Sequence, residues 1–350
     1  MRKHSTLYLI LIVTTFYAVV SRAATPADAP FWTNQPDAAS FTKLQEDRLA
    51  RAKQSLERML AVTGKRTIEN TLKPYDEMLT CLDAVSNQAS LIKEVHPDES
   101  VRTAAEKMYQ KYDAFNTEVS LNRAVYDAIA AMDLTEADSE TRYYVQRTLR
   151  DFRLAGVDKD EATRKRIKAL RDEIVVIGQE FARNIRDDKR TVIVNSVAEL
   201  DGLPADYIAR HKPGPDGKIT LTTDYPDSMP IFSYAKNDDL RKRMFLANNN
   251  RAYPQNMGVL DRLIAKRHEL ANLVGFTNWA DYITADKMVG SGKNAAMFID
   301  RVAEASKAMA AKEYQTLLAR KQKDVPGATV VNAWENAYYS ELVRKADYNF

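Results

Sequence analysis

A chain of 350 residues, 45% hydrophobic and 28% charged, is neither a disordered tail nor a fibrous repeat, and it is long enough for two or more domains. Its 51 basic and 48 acidic residues leave a net charge of only +3, which argues against a nucleic-acid partner. The single cysteine, Cys81, excludes an internal disulfide, so the fold must be held by its core.

The chain opens with Arg2, Lys3 and His4, then an apolar run from Leu7 to Val20, then Ser21-Arg22-Ala23. This is the pattern of an export signal over residues 1–23, cut after Ala23. The run is too short, and too interrupted by Thr14, Thr15 and Tyr17, for a membrane span of about 20 residues. No stable membrane anchor is therefore expected after cleavage, and the destination is periplasmic or extracellular. Loss of Arg2, Lys3 and Arg22 lowers the 51 bases to 48, against 48 acids, so the mature chain is formally neutral.

Residues 24–36 are rich in Ala, Pro and Asp around Phe31 and Trp32 and read as an extended leader. Helical periodicity begins at Ser40, a candidate N-cap, and continues through Phe41, Leu44, Leu49, Ala52, Leu56 and Met59 until Gly64. A second stretch starts near Thr67, with Pro74 marking a kink or a helix start. Pro97-Asp98-Glu99 opens a third, and two more are predicted from about Ser139 to Leu154 and from Lys159 to Ile185. In the last of these, Ile167, Leu170 and Ile174 alternate with Arg and Lys, as on a helix with one solvated face.

The period changes at Thr191-Val192-Ile193-Val194, which is β-branched throughout, and at Lys218 to Thr223, which alternates apolar and polar residues. With Lys212-Pro213-Gly214-Pro215-Asp216-Gly217 supplying turn chemistry between them, a small β-hairpin is expected near 191–223. Helical patterns resume at Asp238. Some nine helical stretches against two strands make a mainly α fold, with no solenoid repeat.

Candidate chemistry is sparse. His268-Glu269-Leu270-Ala271-Asn272 is four fifths of the zinc-binding pattern H-E-x-x-H, which needs imidazoles four residues apart on one helix face. Asn272 stands where the second histidine belongs, and among His4, His96, His211 and His268 no pair has ligand spacing. The stretch therefore reads as an ordinary helix with Leu263, Ile264, Leu270 and Leu273 inward and His268 and Glu269 outward. Val289-Gly290-Ser291-Gly292-Lys293-Asn294 lacks the first glycine and the hydroxyl residue of a phosphate-binding loop and reads as a turn between helices. Cys81, within an apolar stretch, reads as a buried inert thiol, and Trp334, Tyr338 and Tyr339 read as core. No residue in the chain is assigned as catalytic, cofactor-binding or metal-ligating.

Several stretches, in order, resemble peptidase family M3, the thimet oligopeptidase group of zinc metallopeptidases that includes bacterial oligopeptidases and dipeptidyl carboxypeptidases. They are TIENTLKPYDEMLTCL from Thr67, LRDFRLAGVDKDEATRKRI, and QEFARNI with its Phe181 and Asn184. ELDGLP from Glu199, LRKRMFLANNNRA, VLDRLIAKRHELANLVGFTNWADY and DKM follow. Last comes WENAYYSELVRKADYNF, where Glu335 replaces the family's usual aspartate.

The resemblance implies a mainly α, two-lobed channel architecture, with residues 24–235 as a helical lid region and 236–350 as the beginning of a catalytic domain. It implies an exported, monomeric zinc metallo-oligopeptidase of the endopeptidase or dipeptidyl carboxypeptidase type, acting on short peptides. It also implies that the Zn²⁺ ligands lie on a later helix past Phe350, so this chain is read as a portion ending before its H-E-x-x-H motif. Taken alone, the 350 residues are expected neither to bind the catalytic zinc nor to cleave peptides. The alternative is a non-catalytic helical peptide-binding module.

Overall fold

The computed structural model describes residues 36–348. The export signal expected over 1–23 and the Phe31-Trp32 segment lie outside the described residues. Thirteen α-helices and one two-stranded sheet make up the described part, a mainly α fold as the periodicity predicts. No helix among the described residues is long and apolar enough to cross a membrane.

The first helices are α1 (Ala38–Leu60), α2 (Lys73–Val95) and α3 (Glu99–Ser120). Asp37 rather than Ser40 caps α1: its Oδ1 accepts the Ser40 amide at 2.8 Å, which satisfies one of the donors a helix start leaves open. A π-helical turn, Ile68–Leu72, precedes α2 and is capped reciprocally by Thr67 and Asn70. Pro74 thus sits at the second position of α2 and marks a helix start.

Two compact units can be distinguished. One contains residues 36–55 and 77–109. Its buried residues include Phe41, Leu49, Met78, Leu82, Val85, Val101 and Met108, which recur at helical spacing. Inside it Arg48 Nη1 donates to Gln88 Oε1 at 2.7 Å and to Gln45 Oε1 at 3.1 Å, so these buried polar groups satisfy one another. Cys81, expected to be buried, is half-buried on α2, because its position falls at the border of the apolar face.

The other unit contains residues 56–76 and everything from 110 onward. After α4 (Arg123–Ala130) and α5 (Ser139–Ala155), the 27-residue α6 (Glu161–Asp187) packs along α10 (Gln255–Val274). Ile167 and Leu170 of α6 meet Leu270 and Val274 of α10 at one end, and Ile177 meets Val259 and Leu263 at the other. Asn256 ties the same helices: its Nδ2 donates to Phe181 O at 3.0 Å, and its Oδ1 accepts from Asn184 Nδ2 at 2.8 Å. Ile264, expected inward, is 56% exposed, because the inward stripe of α10 runs through Val259, Leu263 and Leu270 instead.

Between α6 and α10 lies a small subdomain. Strands β1 (Thr191–Val194) and β2 (Ile219–Thr222) pair antiparallel with Thr191 opposite Thr222. Helices α7 (Ala205–Arg210), α8 (Tyr225–Tyr234) and α9 (Asp238–Asn249) cover one face, burying Val192, Val194, Tyr207, Leu221, Ile231, Leu240 and Met244 together. Asp201 O accepts the Lys236 amide at 2.9 Å, and between them Gly202 adopts φ +93°. A Cβ there would stand 2.4 Å from Tyr234 O, so the turn in ELDGLP requires glycine for both conformation and space.

Next come α11 (Trp279–Thr284), the 33-residue α12 (Gly292–Asp324), a 3₁₀ turn (Ala333–Glu335) and α13 (Asn336–Tyr348). The glycine-rich stretch at 289–294 is a turn between helices: Ser291 Oγ accepts the Asn294 amide at 3.1 Å, and Asp281 Oδ1 accepts the Gly292 amide at 3.0 Å.

Candidate functional site

The His268 stretch lies on the solvent side of α10. His268 and Asn272 are exposed and face each other, with Asn272 Nδ2 donating to His268 Nε2 at 3.0 Å. That ring nitrogen is thus occupied by a neighbour that cannot serve as the missing imidazole. Glu269, which would act as the base in a zinc-peptidase helix, instead accepts from Arg166 Nε at 2.9 Å. It belongs to an open surface network with Glu173 and Lys266, and Lys266 Nζ lies 2.5 Å from Glu173. Among the described residues no group of three or more His, Cys, Asp or Glu is placed to hold a metal. His268, Glu269 and Asn272 do not fit a catalytic zinc.

A more promising arrangement lies further along the chain, where α9, α12 and α13 surround a pocket of about 630 Å³. Lys321 near the end of α12 and Glu335 at the end of the 3₁₀ turn form a 2.6 Å ion pair whose side chains are 8% and 4% exposed. Glu335 Oε2 also accepts the Asn332 amide at 2.7 Å, and Lys321 Nζ also donates to Val330 O at 2.9 Å. Burial opposes the charge on Glu335, but the Lys321 ammonium and the Asn332 donors outweigh it and hold the carboxyl below the usual carboxylate range.

On the opposite wall, the buried Arg241 guanidinium lies 4.1 Å from the centre of the Tyr338 ring. Its Nη1 donates to Ala235 O and its Nη2 to Asp238 Oδ1, and the latter oxygen also accepts from Trp334 Nε1 at 3.1 Å. Tyr339, packed edge-on to Tyr338, has its hydroxyl pushed up to about 12, mainly by burial and further by Asp324 and Glu335. It therefore stays protonated through the neutral range.

Each acid in this pocket is matched by a base, and no neutral histidine, activated hydroxyl or thiol lines it. The lining thus presents paired charges beside tyrosine rings. Sequence reasoning placed Tyr338 and Tyr339 correctly as buried, and it picked out Glu335 only as a departure from a motif. Lys321 and Arg241 were missed, because they meet Glu335 and Tyr338 through tertiary packing rather than local spacing.

All of this pocket's lining residues fall within one matched segment: residues 231–350 match the family described as Peptidase family M3. That match covers about a third of the chain, and similarity to individual peptidases extends over most of the rest. Oligopeptidase A of Escherichia coli (strain K12) is 27% identical over 317 residues, covering 85% of this chain and 46% of that protein. Saccharolysin of Saccharomyces cerevisiae is 27% identical over 300 residues, covering 81% and 42% respectively. Mitochondrial intermediate peptidase of Chaetomium globosum is 27% identical over 321 residues, covering 87% and 40%. The chain thus spans less than half the length of these M3 relatives. The stretches by which the sequence resembles M3 peptidases have clear structural duties here: Phe181 and Asn184 bind Asn256, Gly202 makes the turn before α7, and Glu335 anchors α12 to the turn before α13.

Proposed function

We propose that this protein is a peptidase of M3 type that hydrolyses short peptides and is made for export. In this reading residues 24–235 form a lid region and 236–350 begin the catalytic region. The observation that carries the reading is the family match over 231–350, because that segment supplies the whole lining of the charged, tyrosine-lined pocket. Zinc is the cofactor we assign to the activity. Because the described residues do not fit that metal, no chemical step is assigned to them. Their contribution is to bind and orient: the Lys321–Glu335 pair fixes one wall of the pocket, and Tyr338 and Tyr339 line it.

The test is to capture the endogenous product through this chain and incubate it with short unstructured peptides and with a folded protein. Cleavage of the peptides that a chelator abolishes and zinc restores is the expected result, with the folded protein spared. Metal-independent cleavage, or none, would overturn the reading. A second reading, a non-catalytic peptide-binding module, draws on the mutual neutralisation of the pocket's charges; peptide binding without cleavage would favour it.

A further inference from the structure

His211 follows the last turn of α7, with its side chain 13% exposed, and each of its ring nitrogens faces an oxygen. Nδ1 lies 2.8 Å from Tyr207 O, and Nε2 lies 3.0 Å from Oδ1 of Asp227, in the first turn of α8. A backbone carbonyl can only accept, so Nδ1 carries a hydrogen. The carboxyl of Asp227 is no donor either: its Oδ2 accepts from Thr222 N at 2.9 Å and from Thr222 Oγ1 at 2.7 Å, an environment that favours the ionised form. Two acceptors on one ring require two N–H groups, which only the imidazolium has.

The surroundings suit that charge. The ring lies against the Tyr207 ring with centroids 4.2 Å apart, and it stands at the carboxyl end of α7, where helix carbonyls gather negative potential. On α7 itself, Asp206 and Arg210 are bound to each other at 3.1 Å, and burial keeps the Tyr207 phenol protonated. That phenol donates to Asp227 O at 3.0 Å, a second tie between the same two helices. The strand β2 contributes the Thr222 hydroxyl and no charge. Ahead of α8, Asp224 is bound to Lys189, and Lys212, next after His211, is exposed. Asp227 is therefore the charge that answers His211.

We propose that His211 and Asp227 form a pH-operated latch, which fastens the end of α7 and the 212–218 loop to the first turn of α8. The latch is shut while both groups are charged. When the imidazolium gives up one hydrogen, a ring lone pair faces either the Tyr207 carbonyl or the Asp227 carboxylate, and that contact turns from attractive to repulsive. The stabilisation is complete below the unfolded histidine value of about 6.5 and is lost as pH rises. Asp227, whose charge burial opposes and the Thr222 and His211 donors sustain, loses it only in acid. The latch thus opens on both sides of a window, and the inference is independent of any peptidase activity.

The test uses the full chain labelled with nitrogen-15, with the imidazole resonances assigned by comparison with His211→Gln. Near neutral pH both ring nitrogens of His211 are expected at the shifts of N–H groups. Amide hydrogen exchange, divided by the intrinsic rate at each pH, is then followed from about pH 6 to about pH 9. Residues 205–218 should lose about tenfold in protection, as the loss of one charge-assisted bond entails, while α6 and α10 stay unchanged. The variant His211→Gln, which keeps a neutral donor and cannot gain charge, should show no such step. An unprotonated ring nitrogen on His211 near neutral pH overturns the proposal. So does a flat profile over 205–218, a step that persists in His211→Gln, or one shared by the whole chain. Were the variant unable to fold, the shifts and the exchange profile of the unmodified protein decide alone.

Discussion

The Lys321 ammonium stands 2.6 Å from the Glu335 carboxylate, and this contact joins the end of α12 to the turn that starts α13. Removing one partner leaves the other charged and poorly hydrated. Lys321→Met is expected to lower stability by about 3 kcal/mol, toward the low end for a buried pair because a pocket beside it admits water. The double variant Lys321→Met, Glu335→Leu should recover most of that loss. Urea unfolding followed by tryptophan fluorescence would measure both, and equal losses in the two variants would show that the charges do not act as a pair.

Acid should loosen both this region and the hairpin subdomain. Glu335 is held below the ordinary glutamate range despite its burial. Asp227 is likewise held low: burial opposes its charge, and the Thr222 and His211 donors overcome that opposition. In both cases the unfolded chain binds a proton more readily than the folded one. Their contribution is therefore complete above the unfolded values of about 4.3 and 3.9 and drains as pH falls through the depressed folded ones. The urea midpoint should fall on acidification below about pH 4.5, and Glu335→Gln should flatten part of that slope.

Gly202 and Gly64 offer a controlled comparison, because both have positive φ, at +93° and +88°, but only Gly202 is crowded. Gly64→Ala should cost about 1 kcal/mol, the strain of the left-handed backbone alone. Gly202→Ala adds a clash with the Tyr234 carbonyl and should cost at least about 2 kcal/mol. Comparable shifts in thermal midpoint would contradict this account of the turn.

The link between α6 and α10 depends on an amide. Asn256→Ala removes both bonds, to Phe181 O and from Asn184, and should destabilise the protein by about 2 kcal/mol. Asn184→Ala should cost less, and a double-mutant cycle between the two should show coupling of about 1 kcal/mol. Additive losses would mean that the two asparagines act separately.

Equilibrium dialysis with zinc should leave the 350-residue chain without a stoichiometric bound ion. Asn272→His would put two imidazoles on one face of α10 and is expected to retain zinc weakly. With Glu269 committed to Arg166 it should still cleave no peptide. Cleavage by this variant would show that the surface helix can be converted to a hydrolytic site more readily than its ion pairs suggest.

The long helices and the hairpin were legible in the sequence wherever one period ran for several turns, as at Ile167, Leu170 and Ile174 or at Thr191 to Val194. Helices α4, α7 and α11, of eight, six and six residues, were not, because two turns are too few to establish a period. Ile264 was misplaced for a related reason: two adjacent apolar residues on α10 lie 100° apart, and only packing decides which one is covered. The exclusion of a zinc site at His268 needed only the identity of residue 272. The pocket, by contrast, depends on Arg241, Lys321 and Tyr338 meeting across three helices, and no local spacing encodes that meeting.

The hairpin subdomain carries a consequence for how the chain comes to be folded. Every buried residue of its core, from Val192 to Met244, comes from one uninterrupted stretch, and Arg243 fastens the end of that stretch back to Ile193 O and Glu199. Its contacts close short loops, which cost little chain entropy to form. It can therefore condense as a unit as soon as the Met244 segment is free, before α10 joins it, and so serve as an early template on which the later helices assemble.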